Sequence, residues 1–149
     1  MANEIDQLKA YSEACNTLRH YSNASLTVRL ASVVQGIAIL GAWAVAVTQK
    51  MSPLMIVFPI AGLLFTALLY RFHIGYFRAT GFFYDVASRM EEKFFDEDCR
   101  PISAYHKMHA EIYNNIWRRV FTLNAPFTLI AILFVLALLI TLWAMFLKV

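Results

Sequence analysis

The sequence predicts an all-α integral membrane protein in which three transmembrane helices continue into a cytoplasmic helical bundle. The segment from Ala125 to Leu147 has no charged residue across 23 positions, which exceeds the run of about 20 apolar residues that crosses a bilayer. Two further apolar runs, 28–48 and 53–70, are almost free of charge. The composition agrees, because 60% hydrophobic and 15% charged residues leave too little polar surface for a soluble globule.

We expect a single membrane domain over residues 1–149. The N-terminal residues lack the apolar stretch of a cleavable signal peptide. A short turn near Gln49 to Ser52 is expected between the first two spans. The periodicity predicts a cytoplasmic helix at 1–27, a first span at 28–48, a second at 53–70, a cytoplasmic helical hairpin at 71–119 and a third span at 120–147.

Basic residues are distributed unevenly about the predicted spans. Eight Lys and Arg residues lie within 71–119, whereas only Lys50 and Lys148 lie on the opposite side. The positive-inside rule therefore predicts a cytoplasmic N-terminus and hairpin, with the C-terminus outside. Cys15 and Cys99 are then cytoplasmic and are expected to be free thiols.

The predicted hairpin has helical spacing of apolar residues. No proline interrupts the pattern between Tyr70 and an acidic turn at 96–99, so we expect one unbroken helix, and Pro101 begins the returning helix. Aromatic residues beyond a single stripe predict a homo-oligomer that buries them. The stripe expected to form the core or the oligomer contact consists of Phe72, Tyr76, Phe83, Met90 and Phe94.

Several polar or helix-modifying residues lie within the predicted spans. They allow two interpretations, interhelical hydrogen bonding and the lining of a pore, because unsatisfied polar groups are costly in lipid. Near the start of the third span, a proline predicts a kink close to Asn124. The absence of charge near the span centres argues against a proton relay, a voltage sensor or a coupled transporter. The candidate pore or packing residues are Ser32, Gln35, Gly36, Thr66, Asn124, Pro126 and Thr128.

Charges in the cytoplasmic segments are segregated by sign. A basic collar near the bilayer fits either anionic lipid headgroups or an anionic ligand. An acidic tip at the distal turn is expected to be solvated or to recruit a basic cytoplasmic protein. The collar consists of Arg29, Arg71, Arg78, Arg118 and Arg119, and the tip of Glu91, Glu92, Asp96, Glu97 and Asp98.

Residues that could support catalysis or metal binding are sparse. His106 and His109 are three apart on one helix, but only His20 and His73 are available to complete a metal site. Arg100 and His106 form R-x5-H, which resembles the loose HEPN ribonuclease signature. Phosphate-binding loops, nucleophile elbows and C-x-x-C are absent from the sequence. We therefore expect no enzyme, no metal, no cofactor and no direct nucleic-acid binding.

The order of the segments resembles a known architecture. A cytoplasmic N-terminal helix, a tight pair of spans and a long charged, aromatic-rich helix are similar to the SLATT-type small membrane effectors of bacterial conflict systems. They are also similar to membrane accessory proteins of type VI CRISPR loci. The third span departs from the usual two-span core. The resemblance implies a homo-oligomeric pore or membrane-perturbing effector of anti-phage defence that depolarises the bacterial inner membrane.

Two alternative functions stay open at this point. One is a non-enzymatic anchor or accessory subunit that recruits a soluble cytoplasmic partner. The other is a HEPN-like membrane ribonuclease that uses Arg100 and His106.

Overall fold

The computed structural model describes residues 2–96, 100–102 and 124–147, and within these ranges the chain is helical with no strand. The helices are α1 (Ala2–Thr48), α2 (Ser52–Phe94) and α3 (Ala125–Phe146). Each is long and apolar enough to cross a membrane by length and composition. The predicted all-α class with three candidate transmembrane helices is therefore confirmed.

Two of the helices are much longer than a bilayer requires. α1 has 47 residues and α2 has 43, against about 20 for one span. α2 remains one helix from its apolar half into its charged half, as the uninterrupted pattern predicts. Pro59 lies inside α2, where it removes one backbone donor from the helix.

A tight turn joins α1 to α2. The N–H of Lys50 donates to the carbonyl of Val47 at 3.2 Å, and the N–H of Met51 donates to that of Ala46 at 2.9 Å. This pair of bonds is a Schellman motif, which satisfies the last carbonyls of a helix. Lys50 has φ 55°, the left-handed conformation that this motif requires and that glycine usually supplies. The structure thus places the turn where the sequence predicts it.

The chain divides into two compact units, and α1 and α2 contribute to both. Unit 1 consists of Met1–Leu26 and His73–Phe121, and unit 2 consists of Thr27–Phe72 and Thr122–Val149.

The core of unit 2 is built on one face of α3. Two glycines on the other helices lie against this face. A Cβ at Gly36 would come within 2.6 Å of Ile130, and one at Gly62 would clash with the ring of Phe134. The two glycines therefore make room for the side chains of α3. The buried residues of this face are Phe127, Ile130, Phe134, Ala137 and Thr141.

Unit 2 exposes apolar side chains and buries polar ones, the opposite of a soluble protein. All but five of the large apolar side chains exposed in the described structure belong to this unit. Phe146 is 79% exposed and Leu64 is 68% exposed, whereas the polar Ser32, Thr66 and Thr141 are buried. An apolar exterior of this extent is unusual in water and typical of contact with lipid.

Unit 1 is held together by aromatic contacts between α1 and α2. The ring of Tyr21 stacks on Phe83 with centroids 5.6 Å apart and lies 6.3 Å from Tyr76. Two residues of the predicted stripe are exposed in the single chain, since Phe72, which belongs to unit 2, is 53% exposed and Phe94 is 37% exposed. The role of the stripe as an oligomer contact stays a prediction. Met90 is partly buried. The residues of α2 that are buried in unit 1 are His73, Ala87, Ser88 and Glu91, and two of them, His73 and Glu91, each follow a stripe residue by one position.

α3 begins at the position of the predicted kink. Asn124 is the residue that precedes the helix, and Pro126 lies in its first turn. The first N–H groups of a helix have no intrahelical partner, so a proline there costs no hydrogen bond. The kink itself stays a prediction, because it concerns the chain that enters Asn124. Residues 120–123 of the predicted third span lie outside the described residues.

Candidate functional site

Two of the polar residues predicted within the spans bond to their own helix. The hydroxyl of Ser32 donates to the carbonyl of Arg29 at 2.8 Å, and that of Thr66 donates to the carbonyl of Gly62 at 2.8 Å. Both hydroxyls are buried and satisfied without reaching another helix. Neither hydroxyl therefore forms the interhelical hydrogen bond that one of the two interpretations expects.

An interhelical polar contact does exist in unit 2, and the sequence analysis missed it. The indole N–H of Trp43 donates to Oγ1 of Thr141 at 3.0 Å. The Thr141 hydroxyl lies 2.9 Å from the carbonyl of Ala137 and 3.3 Å from that of Met55. Met55 precedes Pro59 by four residues, so its carbonyl has lost its helical donor. The sequence feature that could have indicated this contact is Pro59, because a proline within a span leaves a backbone carbonyl in need of another donor.

Two further polar candidates, Asn124 and Thr128, lie near the start of α3. Nδ2 of Asn124 is 3.5 Å from the hydroxyl of Tyr70, and the ring of Tyr70 meets Phe127 edge-on at 5.5 Å. Thr128 is partly buried and donates its backbone N–H to the carbonyl of Asn124 at 3.0 Å. Together these contacts join α2 to the first turn of α3.

Gln35 differs from every other polar candidate within the apolar runs. Its side chain is exposed, whereas its neighbours Ser32 and Gly36 on α1 are buried. Val34 is 66% exposed and Ile37 is 64% exposed, so the amide lies in an apolar surface. Among the described residues the Gln35 side chain has no hydrogen-bond partner.

Small residues continue the face of α1 that carries Gln35. Ala38 and Gly41 follow at intervals of three residues, and both are exposed. A Cβ at Gly41 would meet no atom within 4 Å. We call Gln35, Ala38 and Gly41 the Gln35 face.

Glu91 corrects the prediction of a solvated acidic tip. Its side chain has no exposed surface, whereas Glu92 and Asp96 are exposed. Its carboxylate accepts a hydrogen bond from the hydroxyl of Tyr11 at 2.7 Å and one from the backbone N–H of Ile102 at 3.1 Å. These two bonds connect the start of α1, the end of α2 and the backbone at Ile102, so Glu91 is a structural group that holds this end of unit 1 together. Glu97 and Asp98 lie outside the described residues.

The environment of Tyr11 keeps its hydroxyl protonated. Partial burial, the hydrogen bond to Glu91 and contact with Cys15 all raise the pKa of Tyr11 above its usual range. The phenol is therefore a hydrogen-bond donor at neutral pH. Cys15 is a free thiol in the structure, as expected, and Cys99 lies outside the described residues.

The residues considered for metal binding or catalysis have structural partners where they are described. Nδ1 of His73 is 2.9 Å from the hydroxyl of Ser25, and the histidine is buried. Arg100 donates from Nε to the carbonyl of Phe95 at 2.8 Å and from Nη2 to that of Glu92 at 3.3 Å. Within the described residues no group of three potential metal ligands occurs. His106 and His109 lie outside these residues.

The basic collar is described in part. Arg29 is partly buried in unit 2, and Arg71 and Arg78 are exposed. Arg118 and Arg119 lie outside the described residues. The exposed guanidinium groups have the chemistry to meet anionic headgroups, at about 1 kcal/mol for each residue near the surface.

No protein-family model matches the chain, and neither a curated protein nor a solved structure shows significant similarity to it.

Proposed function

We propose that this protein is a homo-oligomeric integral membrane protein that permeabilises the bilayer in which it lies. Gln35 is the observation that carries the proposal. Moving an unpaired amide from water into hydrocarbon costs on the order of 4–8 kcal/mol, so an isolated chain would carry a large penalty at this position. A second copy that covers the amide, or water in a path between copies, removes that penalty.

The Gln35 face has the composition of a helix-packing surface. Small residues let two helix backbones approach closely, and a polar side chain beside them can bond across the contact. Ala38 and Gly41 supply the small residues, and Gln35 supplies the amide. Because no charge interrupts α1 from Leu30 to Val47, we expect symmetric packing of several copies without electrostatic repulsion in the span.

A pore formed by this face would be closed at rest. Its wall would consist of apolar and small side chains with one ring of amides, and apolar constrictions exclude water. Opening then requires a trigger that widens or wets the path. Gln35 would be the residue that holds the first waters.

The cellular setting is also part of the proposal. The excess of basic residues in 71–119 supports a cytoplasmic N-terminus and unit 1, with Val149 outside. Unit 1 would then form the cytoplasmic helical bundle. The bacterial inner membrane and a role in anti-phage defence rest on the architectural resemblance alone.

The test combines particle mass with ion flux. We expect the purified full chain to form oligomers by mass photometry in detergent and nanodiscs. Gln35→Leu should weaken association by roughly 5- to 30-fold, since a membrane interhelical hydrogen bond contributes about 1–2 kcal/mol in model peptides. Gln49→Leu is the matched control, because this exposed amide lies in the turn after α1.

Flux is measured in liposomes with an entrapped potassium-sensitive dye. Ala38→Ser should raise the flux by wetting the path, and Gln35→Leu should lower it. A monomer in detergent and in nanodiscs would show that the proposal is wrong. Oligomers that pass no ions, even as Ala38→Ser, would reject the pore and favour the accessory-subunit alternative.

A further inference from the structure

A cleft of about 650 Å³ opens in unit 1 between the start of α1 and the end of α2. This volume lies within the range of about 300–1,000 Å³ that is typical of small-molecule sites. The residues that form it include Ile5, Leu8, Tyr11, Lys93, Phe94 and Phe95.

The walls of the cleft are mostly apolar. The rings of Tyr11 and Phe95 pack with their centroids 5.2 Å apart. The hydroxyl of Tyr11 is hydrogen-bonded to Glu91, so Tyr11 contributes its apolar ring to the wall of the cleft. Ile5 is 67% exposed and Leu8 is 56% exposed. With Phe94, they are three of the five large apolar side chains that the described residues of unit 1 expose. Most of the exposed apolar side chains in the described part of unit 1 therefore line this cleft.

Lys93 contributes a cationic group to the lining of the cleft. Nζ of Lys93 lies 5.3 Å from the centroid of the Phe94 ring. Lys93 is the only charged residue among the described lining residues, since Glu92 and Asp96 are exposed but do not line the cleft. An ammonium beside an apolar aromatic wall favours a ligand that is apolar along its length and negative at one end.

We propose that this cleft binds a single-chain amphiphile with an anionic headgroup, with the chain against Ile5 and Leu8 and the headgroup at Lys93. Size favours such a ligand over a partner helix. A helix about 10–12 Å across occupies roughly 420–610 Å³ for each turn, so the cleft holds little more than one turn. The described residues that line the site all belong to unit 1, so binding does not depend on the proposed pore.

The same cleft adjoins the buried carboxylate of unit 1. Tyr11 contributes its ring to the cleft and its hydroxyl to the bond with Glu91, which also holds the N–H of Ile102. A bound chain therefore contacts the residue that ties the start of α1 to the end of α2.

Photocrosslinking of the full chain in phosphatidylcholine nanodiscs tests the proposal. The probe is a fatty acid that carries a diazirine on its chain, and the crosslinked peptides are identified by mass spectrometry. We expect crosslinks within residues 5–11 and 93–95. Dodecanoate and dodecyl phosphate should compete, which compares a carboxylate with a phosphate headgroup, and neutral dodecyl maltoside should compete less well.

Matched variants separate the contributions of the chain and the headgroup. Leu8→Ser should lower the apparent affinity about tenfold by removing apolar contact, whereas Leu26→Ser, a similarly exposed leucine outside the cleft, should not. Lys93→Gln should lower the affinity for the anionic competitors about two- to fivefold. Lys9→Gln, an exposed lysine outside the cleft, should leave it unchanged.

Three results would overturn this site. One is crosslinking spread evenly over the exposed surface of unit 1, and another is crosslinking insensitive to Leu8→Ser. The third is a Leu8→Ser variant that is monomeric by mass photometry, since this would show that a second copy of the chain occupies the cleft.

Discussion

The hydrogen bonds at Thr141 should stabilise unit 2 measurably, and Thr141→Val removes them with little change in shape. The substitution leaves the indole N–H of Trp43 and the carbonyl of Met55 without their partner. Interhelical hydrogen bonds in membranes contribute about 0.6 kcal/mol on average and about 1.7 kcal/mol at most. With two bonds lost, we expect the free energy of unfolding to fall by about 1–3 kcal/mol.

Thr66→Val is the matched control. Thr66 is also buried in unit 2, but its hydroxyl bonds only to the carbonyl of Gly62 within α2. That carbonyl keeps its helical N–H donor after the substitution, so we expect a cost well below that at Thr141.

Pro59 allows a sharper test by a double-mutant cycle. Pro59→Ala supplies a backbone N–H for the carbonyl of Met55, so Thr141→Val should cost about 1 kcal/mol less in that background. The measurement is reversible unfolding by SDS in mixed micelles, followed by circular dichroism and intrinsic fluorescence. Equal costs for Thr141→Val and Thr66→Val, or strict additivity with Pro59→Ala, would refute this account.

Two other predictions concern helix packing and pH. Gly36→Ala should destabilise unit 2 by about 1–3 kcal/mol in the same unfolding assay, because its Cβ would crowd Ile130, whereas Gly81→Ala, where a Cβ meets no atom, should be neutral or stabilising. The raised pKa of Tyr11 stabilises the protonated phenol, a contribution present below the unfolded pKa of about 10 and lost as the pH rises further. The wild type should therefore lose more stability than Tyr11→Phe between pH 8 and pH 11, and equal losses in thermal unfolding would contradict this cause.

The sequence predicts the helices well because apolar length is a direct physical requirement of a bilayer. The turn at Lys50 and the continuity of α2 follow from the same pattern. The buried face of α2 in unit 1 is harder to predict, because the polar residues His73, Ser88 and Glu91 lie there while the apolar Phe94 is exposed.

The polar residues could be recognised in the sequence, but their partners could not. In the sequence, Ser32 and Gln35 are both polar residues in an apolar run. In the structure, Ser32 is buried and bonds within its own helix, whereas Gln35 is exposed. The charge of Glu91 suggests solvent, and only its contacts with Tyr11 and Ile102 show why it is buried. Such distinctions depend on which helix lies opposite, information that spacing along one helix does not contain.

The Thr141 hydroxyl has a single proton and two carbonyls within reach. Ala137 at 2.9 Å belongs to the same helix, and Met55 at 3.3 Å belongs to α2. If α2 moves away, the proton turns to Ala137, and Trp43 still donates to the same oxygen. The Met55 carbonyl then loses its donor, but the hydroxyl keeps both of its bonds. The Thr141 hydroxyl can therefore turn between two acceptors, so it stays fully bonded whether or not α2 lies against α3 at this level.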